Sequence, residues 1–83
     1  MDWIERLAVE LGVDPLSDAE VITLLGSAHD VAHRVERRTT PLAAFVLGAA
    51  VRARTDAGAA REVAFAEAIA TLRELLPPAE VQP

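Results

Sequence analysis

The chain has no cysteine, no lysine and no tyrosine. Without cysteine, disulfides and thiolate metal sites are excluded as ways to hold a small domain together. Aromatic side chains are nearly missing too: Trp3, Phe45 and Phe65 are the only large rings in 83 residues. Any core must therefore be built from Leu, Val, Ile and Ala. The longest uncharged run, Thr39 to Val51, falls short of the ~20 residues that span a bilayer. The opening MDWIERLAVELG carries acids early and no basic, apolar leader, so no secretory signal is expected and the cytoplasm is the default location.

What is present is apolar and acidic. Residues of the hydrophobic class make up 52% of the chain, above the roughly 45–50% of ordinary domains. The formal net charge of −5 argues against nucleic acid or an anionic membrane surface as partner. Charge is unevenly spread, however. Between His29 and Thr55 stand Arg34, Arg37, Arg38, Arg52 and Arg54 against only Asp30 and Glu36. A chain this short forms one domain, expected over 1–77 with a flexible tail over 78–83.

Helical signals recur along the whole sequence. Asp2 is a cap for a first helix over about 2–11, with Glu5 at the capping-box position and Gly12 as a stop. Trp3, Ile4, Leu7, Ala8 and Leu11 share its apolar stripe. Ser17-Asp18-Ala19-Glu20 is a second capping box, opening a helix over 18–38. Its expected buried stripe is Val21, Leu24, Leu25, Ala28, Ala32 and Val35. Thr40-Pro41 reads as a cap followed by proline in the first turn of a helix over 41–54. That helix is apolar on nearly every side: Leu42, Phe45, Val46 and Ala49 form one face, while Leu47 and Val51 point elsewhere. Ala44 and Gly48 leave room for a close neighbour. A last helix over 59–76 carries Phe65, Ala68, Ile69, Leu72 and Leu76 on one stripe and ends at Pro77-Pro78. The pattern predicts an all-α fold, a compact antiparallel four-helix bundle with short connections.

Two polar segments compete for a functional role. His29 and His33 in HDVAH have the i, i+4 spacing of a shared metal. A third ligand is missing, and Asp30 is one methylene shorter than the glutamate of H-E-x-x-H, so no metal or other cofactor is expected. Asp30, His33, Arg34 and Arg37 share one helical face, and Arg38 and Thr40 continue it to the start of the third helix. These six are the candidate ligand-binding residues, suited to a phosphate or carboxylate. The plainer explanation is an Asp30–Arg34 ion pair, arginines that complement a helix dipole, and a Thr40 cap. Trp3 reads first as a ring closing one end of the bundle and second as an interface anchor. Together with Leu47, Gly48 and Val51 of the all-apolar helix it forms the candidate interface set. No nucleophile–base pair and no Gly-rich phosphate loop is present, so an enzyme is not expected.

The stretch DVAHRVERRTTPLAAFVLG, Asp30 to Gly48, together with the opening DWIERLAVELGV, resembles a small helical family of unknown function from high-GC bacteria. The pattern rests on Trp3, Asp30-Val31-Ala32-His33, Arg37 or Arg38, Pro41-Leu42, Phe45 and Gly48. Members occur alone or appended to the C-terminal end of MobA-like nucleotidyltransferases of molybdenum-cofactor biosynthesis. The resemblance implies no activity and brings no catalytic residues. Taken with the all-round apolar third helix and the small size of the chain, it leads to the expectation of a helical accessory domain that binds a protein partner or a second copy of itself as a homodimer, in the neighbourhood of molybdenum-cofactor assembly. The other class left open is a small-ligand module at the Asp30–Arg38 face.

Overall fold

Two of the helices begin where a side chain satisfies amides that a first turn leaves free. Asp2 caps α1 (Trp3–Glu10), its carboxylate accepting from the Glu5 amide at 2.9 Å. Ser17 caps α2 (Asp18–Arg34) in a complete capping box: the Glu20 amide donates to Ser17 Oγ at 3.1 Å, and the Ser17 amide donates to Glu20 Oε1 at 2.8 Å. The other two, α3 (Thr39–Asp56) and α4 (Arg61–Leu75), start without a side-chain cap. The computed structural model describes residues 2–79, so the tail expected over 78–83 lies mostly outside the described residues. Among these residues there are four helices and no strand, and the all-α, four-helix class holds.

The largest departure from the expected boundaries lies at the α2–α3 junction, the other helix ends falling within two residues of expectation. Val35 leaves the helical region (φ −112, ψ −88), which ends α2 at Arg34 rather than at residue 38. Arg38 is already helical (φ −72, ψ −14), and turn bonds from the Thr39 and Thr40 amides to the Glu36 and Arg37 carbonyls lead directly into α3. Thr40 therefore sits inside the first turn and is not its cap. Pro41 is tolerated there because first-turn amides have no intrahelical acceptor.

The core is small. Leu47 of α3 and Ala68 and Ile69 of α4 are buried, with Leu24, Val51, Phe65 and Leu72 packed against them. Val31 of α2 and Ala64 of α4 complete the buried apolar set. α3 packs on α4 and on α2 and is the central helix of this trio. The connections 35–38 and 57–60 are short, which makes the neighbours antiparallel. Within α2 the buried line runs through Ser27 and Val31, while Leu25 and Val35 of the expected stripe are exposed. Ser27 Oγ is buried without a hydrogen-bond partner, as is Thr40 Oγ1 across the α2–α3 contact.

α1 stands apart from this trio. None of its residues is buried, and it forms no comparable packing with another helix. Its connection to α2 is fixed instead by Arg61 at the start of α4. That guanidinium donates to both carboxylate oxygens of Glu20 at 2.9 Å and to the carbonyls of Asp14 and Pro15 at 3.4 and 3.3 Å. The bonded Arg61 guanidinium holds the Glu20 carboxyl below its usual value, and Glu20 in turn raises Arg61. A second pair, Arg73–Asp30 at 3.2 Å, ties the other ends of α4 and α2.

No helix among the described residues is long and apolar enough to cross a membrane.

Candidate functional site

The polar face expected from Asp30 to Thr40 is not assembled. Asp30 gives its carboxylate to Arg73 of α4 and not to Arg34. Because α2 ends at Arg34, Arg37 and Arg38 leave the helical face that spacing assigned to them. Arg38 turns to Glu36, with Nε donating at 3.2 Å, and Thr39 Oγ1 donates to the same carboxylate oxygen at 3.3 Å. The positive start of α3 thus already has an anion beside it, supplied by the chain. Thr40 points its hydroxyl into the α2–α3 contact. His33 stays exposed and faces His29, with ring centroids 4.2 Å apart. No cluster of three His, Asp or Glu side chains suited to a metal ion occurs among the described residues.

The candidate interface residues divide. Leu47, expected on a surface, is 8% exposed, and Val51 packs against the same buried cluster. Both belong to the chain's own core, because α4 covers that side of α3. Gly48 is exposed, and a Cβ built on it would meet nothing within 4 Å, so no helix of this chain uses the Ala44–Gly48 step. Trp3 is 71% exposed. It closes nothing in its own chain, which removes the reading of it as the end of the bundle.

What spacing alone read as one face of α3 is its bare side. Phe45 is 81% exposed, with Leu42 and Val46 beside it and Ala49 one turn on. A large ring left this open sacrifices the burial that usually makes aromatics the strongest contributors to a core. The Leu42–Val46 edge continues into an apolar groove of about 450 Å³ between the end of α2, the first half of α3 and the end of α4. Val35, Leu72, Leu75 and Leu76 line its far wall, and Arg54 is its only charged residue. A second groove of about 590 Å³ lies on the opposite flank of α3, against the α1–α2 connection and Phe65, with Glu20 and Arg61 at its polar edge.

The chain exposes 6441 Å², about a third more than the roughly 4,800 Å² of a folded monomer of this mass. Its radius of gyration, 13.9 Å, also exceeds the roughly 12 Å expected for the length. The site of interest is therefore apolar surface on α1 and α3 and not a cluster of reactive groups.

No curated protein and no solved structure gives a significant match to the sequence. The family model described as "Domain of unknown function (DUF6457)" spans residues 1–82, and over that nearly complete length the chain belongs to this family.

Proposed function

We propose that the chain is a non-catalytic interaction domain that works by presenting apolar helix surface to a protein. The observation that carries this reading is the bare face of α3. Phe45, Leu42 and Val46 are each about two-thirds exposed or more, and they adjoin the apolar groove. Contiguous apolar patches of this kind mark binding surfaces in soluble proteins, and a deep aromatic anchor typically dominates their energetics. The resemblance to domains appended to MobA-like enzymes directs the reading further, to an accessory role in molybdenum-cofactor assembly with a guanylyltransferase as partner.

The experiment compares wild-type protein with Phe45→Glu and Trp3→Glu. Each is mixed with a purified MobA-like guanylyltransferase from the same cell and, separately, examined alone for self-association by sedimentation. A complex or self-associated species formed by wild type and lost in both variants supports an interaction domain. Wild type and variants that all remain single free chains in both settings overturn it.

A further inference from the structure

We infer that the surface is completed by a second copy of the chain through exchange of α1. The stripe of α1 in one protomer lies over Leu42, Phe45 and Val46 of the other, with Trp3 seated in the groove between α3 and α4, and a two-fold axis repeats the contact. The inference rests on the interaction reading above and names the occupant.

α1 is itself short of a partner. It has eight residues, none of them buried, and packs on no other helix as extensively as α3 packs on α2 and α4; Leu7 and Ala8 are partly covered, while Trp3, Ile4 and Leu11 are exposed. Isolated helices shorter than about 12–15 residues are marginal in water, and a helix in a protein owes most of its stability to packing on its apolar face. The stripe on α1 needs a surface.

The two stripes also agree in length. Trp3 to Leu11 and Leu42 to Ala49 each cover two turns, roughly 11–12 Å at 1.5 Å per residue, so one stripe matches the other. Within a single chain they stay apart. Arg61 pins the α1–α2 connection to the start of α2, while Phe45 lies 11 residues, about 16 Å, from the end of α3 that sits at that level. Phe45 is left uncovered by its own α1.

Charge gives a third, independent pointer. α1 and its cap carry Asp2, Glu5 and Glu10 against Arg6, while the approach to α3 carries Arg34, Arg37 and Arg38 against Glu36. Among the described residues Glu5, Glu10, Arg34 and Arg37 form no ion pair. Two copies with a net charge of −5 each repel one another at long range. An acidic α1 set against the partner's arginines offsets that repulsion and fixes the orientation.

Trp3 is the only tryptophan and the chain has no tyrosine, so intrinsic fluorescence reports this contact directly. Sedimentation equilibrium on the full chain is expected to give twice the 8.9 kDa chain mass, with Trp3 emission shifted to the blue of free tryptophan. Phe45→Glu is expected to give single chains with water-like emission. Leu42→Lys, on the same exposed face, should do the same and guards against a folding defect in one variant, with circular dichroism confirming helices in both. A dimer in which Trp3 emits as in water overturns the exchange of α1. A single chain at every concentration overturns the second copy, while the guanylyltransferase mixing experiment then decides separately whether the interaction reading stands.

Discussion

At the scale of single residues, Glu20 shows how one carboxylate can serve two structural ends. Oε1 accepts from the Ser17 amide to close the capping box, and both oxygens accept from Arg61, 41 positions away. The Arg61 hydrogen bond lowers the Glu20 pKa from the usual 4.5. The unfolded chain therefore binds this proton at a higher pH than the folded one. The stabilisation is complete above about pH 4.5 and is lost as pH falls through the lower folded value. Glu20→Gln keeps the acceptor of the capping box and removes the charge. The difference in unfolding free energy between wild type and Glu20→Gln should therefore be constant near neutrality and shrink to nothing in strong acid. Urea titrations at several pH values measure it, and a difference that persists unchanged at the acid end would contradict the assignment. Arg61→Met should cost about 1 kcal/mol, since the guanidinium is partly solvated and surface-near pairs contribute little more.

At the scale of elements, the helices were largely readable from local chemistry, and their orientation was not. Asp2, Ser17 and Glu20 mark two starts because a cap is a bond between residues three apart, which spacing alone reveals. The α2–α3 junction escaped because Glu36, a residue with no pattern around it, organises the turn through Arg38 and Thr39. The buried side of α2 escaped because Ser27 stands on it, and a hydroxyl inside the core breaks an apolar stripe. Likewise the ligand face from Asp30 to Arg38 depended on a helix continuing past Arg34. Glycines separate local from tertiary demands. Gly58 ends the α3–α4 turn at φ +105, a conformation side chains resist, so Gly58→Ala should destabilise by about 1–3 kcal/mol. Gly26 lies inside α2 with open space where a Cβ would go, so Gly26→Ala should stabilise by about 0.5–1 kcal/mol. Chemical denaturation of the two variants side by side tests both signs. The same sign for both would mean that the helix assignment around one of them is wrong.

At the scale of the whole molecule, α3 poses the problem that the sequence could state but not solve. A helix apolar all round is either central or shared. Here Leu47 makes it central while Phe45, on the other side, has nothing over it. Apolar spacing identifies both stripes equally well, and only the supply of partners decides which becomes core. Among the described residues no helix covers that side: α1 leaves it bare, its connection to α2 held by Arg61. If a second copy supplies the missing helix, folding and association are linked, and stability depends on concentration. A tenfold rise in protein concentration then shifts the equilibrium by about 1.4 kcal/mol per dimer, or about half that per chain. For a domain of this size that raises Tm by a few degrees. Calorimetric scans over a hundredfold concentration range should show this rise for wild type and a flat line for Phe45→Glu. The two curves should converge at the dilute end, where wild type is also dissociated. A wild-type Tm that does not move with concentration would show that the bare face of α3 is stable without a second copy.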